Sequence, residues 1–140
     1  MMISSSRSQD VSSQAVQLVL RQLQSRDSTV RAHEAAHIAA GAGVVTSGAQ
    51  YSYQRGPDGR EYAIGGEVGI DLSPVSGNPQ ATIAKMETVR RAALAPAQPS
   101  APDLSIAAAA TQMEEKARAD AFNKAQKSEN QPGSVVDLSA

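Results

Sequence analysis

The spacing of apolar and polar positions changes along the chain, and each change marks an element. Residues 1–8 are serine-rich with no apolar pattern, so they are expected to be disordered. Ala15, Val16, Leu18, Val19, Leu20 and Leu23 then form a broad apolar side at helical spacing, which predicts a helix from about Asp10 to Ser25. Arg26-Asp27 reads as a break, with Asp27 as the N-cap of a second helix from about Ser28 to Ala40. Alanines at 32, 35, 36, 39 and 40 favour that helix, and Gly41 and Gly43 are stop signals.

Beyond Gly43 the period falls to two. Tyr51 and Tyr53 alternate with Ser52 and Gln54, Gly56-Pro57-Asp58-Gly59 signals a turn, and Tyr62 and Ile64 continue the alternation, so a β-hairpin is expected. Gly65-Gly66 allows a bend or a bulge. The next residues, Glu67 to Leu72, read as a third strand with Val68, Ile70 and Leu72 on one face and Glu67, Gly69 and Asp71 on the other. Asn78-Pro79 opens a third helix that runs to about Leu94, with Ile83, Met86, Val89 and Ala93 inward. A proline-rich connector, residues 95–102, precedes a fourth helix from about Asp103 to Lys124. The expected fold is α+β: two N-terminal helices, an antiparallel hairpin extended to three strands, and two C-terminal helices. Residues 9–125 would form the domain, with a flexible tail over 126–140.

Composition narrows the function. Much of the 41% hydrophobic content is alanine, and there is no Trp, one Phe and three Tyr, so the core must be small and closely packed. A formal net charge of −1 offers no electrostatic footprint for nucleic acid and no polybasic membrane patch. The absence of cysteine removes disulfides and thiolate metal ligands. No signal peptide and no stretch long and apolar enough to cross a membrane is apparent, so a cytoplasmic protein is expected.

The chemistry concentrates in Val30 to Gly43, VRAHEAAHIAAGAG, which holds both histidines of the chain, His33 and His37, with Glu34 between them. On a helix, residues four apart share a face, so two imidazoles spaced this way can grip one metal ion. Glu34 is turned about 100° from His33 and would sit beside the metal. This is the H-E-x-x-H arrangement of zinc peptidases. The plainer reading is an alanine-rich helix whose polar residues happen to fall at this spacing.

Further residues carry a resemblance. Arg26-Asp27, Val30-Arg31-Ala32-His33-Glu34, His37, Ala39-Ala40-Gly41, Tyr51-Ser52-Tyr53-Gln54, Gly56-Pro57-Asp58-Gly59 and Gly65-Gly66-Glu67-Val68 resemble the bacterial SprA-related family of zinc-peptidase-like HExxH proteins. Ala81 to Met86 and Ala92 to Ala97 are similar to it too, so the likeness spans roughly Leu20 to Ala121. Ala42 to Ala49 departs from the glycine-rich turn usual there. The resemblance implies a minimal zincin-like metalloprotease domain with one Zn2+ per chain and a peptide or protein substrate.

Catalytic zinc takes three protein ligands and a water. With no further histidine and no cysteine, the third ligand is expected to be a carboxylate. Glu67 ranks first, because Gly65-Gly66 lets the backbone approach the helix and the resemblance covers it. Glu87 and Asp71 rank behind it. A regular strand sets Glu67 and Asp71 about 13 Å apart, so both cannot hold one ion. The expected reaction is hydrolysis by metal-activated water with Glu34 as general base. Two other readings are kept: a non-catalytic zinc-stapled structural domain, and a metal-free helical protein-interaction module.

Overall fold

The computed structural model describes residues 2–129, with side chains from residue 11 onward. The elements in chain order are α1 (Met2–Ala40), β1 (Val45–Arg55), β2 (Glu61–Ile70), α2 (Pro79–Ala93) and α3 (Ala101–Glu129). The strands form one two-stranded antiparallel sheet. Three helices and two strands thus replace the expected four helices and three strands.

The first correction is at Arg26-Asp27, where α1 continues without interruption. Neither residue removes a helical N–H, so nothing in the backbone compels a break. Their side chains dock the helix on the sheet instead. The Asp27 carboxylate accepts from the Ala63 N–H at 2.8 Å, and Arg26 Nε donates to the Ile64 carbonyl at 3.0 Å. Asp27 also accepts from Arg31 one turn on, at 3.1 Å. The expected N-cap is therefore a mid-helix anchor. The helix runs back through the serine-rich stretch to Met2. Of the predicted apolar side, Leu23 is buried, whereas Val16, Leu18 and Val19 are exposed.

The second correction concerns the sheet. Gly65-Gly66 does not end a strand; β2 runs through it and pairs with β1 from Arg55↔Glu61 to Val45↔Ile70. The irregularity is taken up by register shifts, two with extra residues on β1 and one that leaves Ile64 of β2, beside Gly65, without a partner in the register. Glu67 to Ile70 of the predicted third strand are therefore the end of β2, Asp71 and Leu72 lie beyond it, and β1 begins at Val45, inside the stretch that departs from the glycine-rich turn. The hairpin turn falls where Gly56-Pro57-Asp58-Gly59 predicts it. Gly56 N–H donates to the Arg60 carbonyl at 2.8 Å, and Gly59 takes a φ of +80°, a region that glycine enters at no steric cost.

The helix α2 begins at the Asn78-Pro79 pair, with Asn78 Oδ1 accepting from the Ala81 N–H at 3.0 Å and proline filling the first turn. The helix α3 starts ahead of Asp103 and extends past Lys124, into residues expected to be tail; residues 130–140 lie outside the described part. The core is small, as the composition requires. Val44, Met86, Val89, Ala92 and Ala110 form its buried centre, flanked by Ile70, Leu72, Ile106 and Met113. Alanines on α2 and α3 let these helices approach closely, and α1 and the sheet close the other side.

Met86 and Val89 are the largest fully buried side chains. Met86→Ala is expected to cost about 2–5 kcal/mol, the usual range for emptying a close-packed site of this size. Urea unfolding measures it, and a loss under about 1 kcal/mol would show that the core collapses around the deletion.

Candidate metal centre

His33 and His37 lie on adjacent turns of α1, facing the start of α3. Their rings meet edge to face, with centroids 4.9 Å apart, and their Nε2 atoms are 3.2 Å from each other. The carboxylate that joins them is Asp103. Its Oδ2 lies 3.0 Å from His33 Nε2 and its Oδ1 3.2 Å from His37 Nε2. Among the described residues, these three form the group whose ligand atoms converge as a metal site would require.

Local sequence explains why Asp103 arrives in register. Ser100 and Asp103 form a reciprocal cap at the start of α3. The Asp103 N–H donates to Ser100 Oγ at 3.2 Å, and the Ser100 N–H donates to Asp103 Oδ2 at 2.9 Å. The capping residue is thereby pointed across to α1. Burial pushes the Asp103 carboxyl up, but the Ser100 hydrogen bonds and the two imidazoles outweigh it and hold the group below its ordinary range.

His37 is held from its other nitrogen as well. Nδ1 lies 2.8 Å from the Ala92 carbonyl at the end of α2. A carbonyl can only accept, so the Nδ1 proton points there and the neutral ring presents the Nε2 lone pair to His33 and Asp103. A lone pair facing a carboxylate oxygen at 3.2 Å is repulsive unless a cation lies between them. Protons can supply that charge, and so can a metal. With Zn–N of 2.0–2.1 Å, a tetrahedral site separates its ligands by about 3.3 Å. The observed separations of 3.0–3.2 Å are close to that edge, so two imidazoles and one carboxylate fit the demands of zinc.

Glu34 sits beside this group. It is only 4% exposed, and its Oε2 has no hydrogen-bond partner among the described residues. Burial pushes its carboxyl above the ordinary glutamate range, and the Asp103 and Glu67 carboxylates push the same way, against the two imidazoles. The sheet presses on it through Gly66. A Cβ at that position would lie 3.0 Å from Glu34 Cγ, 3.0 Å from Tyr51 Cδ1 and 3.1 Å from Glu34 Oε1, so a side chain there would crowd both residues. An unpaired buried carboxylate beside a cation-seeking cluster has the makings of a proton carrier.

The other acidic residues named from the sequence lie apart from the converging group. Glu67 is exposed and lines the same cavity, of about 380 Å³, as His33, Glu34 and Asp103. Asp71 pairs with Lys85 at 2.8 Å, and Glu87 lies 3.5 Å from Arg118 on the α2–α3 side. Asp103 was not among the candidate ligands. The signal that could have found it is the Ser-x-x-Asp pattern over 100–103, which places an oriented carboxylate at a helix start.

A model of the SprA-related family matches residues 3–136, nearly the whole chain. No curated relative and no solved structure matches it. None of the described helices is long and apolar enough to cross a membrane. The match brings no reaction with it, so any activity has to be argued from the site. The chain belongs to the SprA-related family.

Proposed function

We propose that the chain is a small zinc-dependent peptidase whose metal is held by His33, His37 and Asp103, with Glu34 as general base. The observation that carries this reading is the buried, unpartnered Glu34 carboxylate beside two imidazole nitrogens and a carboxylate that converge on one point. The mixed donors, two imidazole nitrogens and a carboxylate, suit zinc. Zinc in this position would polarise a substrate carbonyl and acidify water towards neutral pH.

The chain's own groups supply the rest. Glu34 Oε2 takes the proton of the attacking water and returns it to the leaving amine. Its burial keeps its basicity high, and the lack of a side chain at Gly66 leaves room for the carboxylate. The Ala92 carbonyl holds His37 in one tautomer, and the Ser100 cap holds Asp103, so the ligand set needs little reorganisation. The open cavity between β2, α1 and α3 would take a short segment of a peptide or a flexible chain.

A second reading, a zinc-stapled structural domain, has an observation of its own. The ligands come from α1 and α3, 70 residues apart in sequence, so a bound ion would tie two helices together. In that case chelation would lower the melting temperature and no substrate would be cut.

Metal content tests the ligand set. Wild type is expected to retain about one zinc per chain. Asp103→Ala and His33→Ala should each retain little, and Glu67→Ala should match wild type. Undiminished zinc in Asp103→Ala would contradict the assignment. Activity tests the chemistry. Glu34→Gln should keep its zinc and lose at least about a hundredfold in hydrolysis of a mixed peptide library. Equal cutting by Glu34→Gln, or none by zinc-loaded wild type, would leave the stapled domain as the better account.

A further inference from the structure

The cavity beside His33 and His37 has walls of uneven charge. Glu34, Glu67 and Asp103 all line it, and among the described residues no lysine or arginine does. Two of these carboxylates are committed: Asp103 to the imidazoles and the Ser100 N–H, and Glu34 to its buried place against Gly66. Glu67 is different. It is exposed at the cavity wall, and its carboxylate makes no hydrogen bond or ion pair with any described residue. Elsewhere on the body, acidic side chains are commonly paired: Asp27 with Arg31, Asp71 with Lys85, and Glu114 with Arg90 and Arg118.

Its surroundings leave it open. The preceding Gly65 and Gly66 carry no side chains to screen it, and its cross-strand neighbour on β1 is the neutral Gln50. A second carboxylate, Glu34, is buried in the same cavity with an unpartnered oxygen. With zinc bound, its charge offsets Asp103 and Glu34, so positive charge is favoured at the outer wall, where Glu67 itself stands.

We propose that Glu67 is the specificity-determining group of this site and selects substrates that bring a cation, an ammonium or a guanidinium, to the wall formed by β2. The proposal rests on the reading of the cavity as a peptide-binding site. The cation has two sources in a peptide, a lysine or arginine side chain or the free amino terminus, and both offer the N–H donors that a carboxylate accepts. The pair would form at a half-open wall, so its effect is a preference of about fivefold rather than an absolute requirement, and salt would weaken it.

Binding tests this separately from catalysis. The full-length, zinc-loaded Glu34→Gln protein is titrated calorimetrically with four short peptides. They are acetyl-Ala-Arg-Ala-amide, acetyl-Ala-Ala-Ala-amide, acetyl-Ala-Glu-Ala-amide, and Ala-Ala-Ala-amide with its amino terminus free. The same peptides are titrated into Glu34→Gln combined with Glu67→Gln, and with Glu67→Lys. At least one cationic peptide should bind about fivefold tighter than the neutral one. That gain should vanish with Glu67→Gln, and the glutamate peptide should be the one favoured by Glu67→Lys. Whether the arginine peptide or the free-amine peptide gains identifies the source of the cation. Equal affinity for all four, equal failure to bind included, or a gain that survives Glu67→Gln, overturns the proposal. Charge-selective binding by a wild type that cuts nothing would support this inference and refute the peptidase. Cutting without charge-selective binding would do the reverse.

Discussion

Asp103 faces two imidazole nitrogens at once, and the arrangement of the site follows from that contact. Neither histidine is free to turn away. His37 is held from behind by the Ala92 carbonyl, and His33 lies between His37 and Asp103. Three elements must therefore be in place together: the C-terminal half of α1, the end of α2 and the first turn of α3. The alanine-rich faces of α2 and α3 make this possible, because small side chains let the helices close up around Val44, Met86 and Val89. With so few large side chains, the core leaves much of the positioning to polar contacts, and the Ser100 cap and the Ala92 carbonyl supply it.

The sheet contributes in a different way. It gives no atom to the converging group, yet it governs Glu34. The helix is fastened to β2 by Arg26 and Asp27, roughly two turns before the motif. Further along the same strand, the missing side chain of Gly66 leaves the space beside the Glu34 carboxylate. The fastening fixes how α1 lies against β2, and the glycine makes the close approach tolerable. Glu34 thereby becomes a buried acid rather than a solvated one, while Glu67, the next residue of the strand, stays open to the cavity.

How much of this was legible in the chain depends on the range of the interaction. The helical motif, the Gly56–Gly59 turn and the Asn78-Pro79 start are set by neighbours in sequence, and local pattern reads them. Asp27 has the chemistry of an N-cap, and only the claim of the Ala63 N–H on its carboxylate, 36 residues away, goes with a helix that runs on through it. Gly65-Gly66 looked like a bend because glycine is permissive. What it permits here is close approach to Glu34, which only the packed structure discloses. Asp103 was overlooked for a similar reason. It reads as an ordinary residue at a helix start, and nothing local says that this helix start docks against His33 and His37. Glu67 was placed beside the site from its glycines, and it does line the cavity, but strand geometry leaves it outside the converging group.

The function of the site depends on what binds where the two Nε2 atoms and Asp103 meet. X-ray absorption at the zinc edge of the zinc-loaded protein tests this directly, because imidazole rings leave a distinctive multiple-scattering signature. The account predicts two imidazole nitrogens, with the remaining ligands oxygen, all at about 2.0–2.2 Å. Zinc surrounded by oxygen alone, or by a single imidazole, would contradict it.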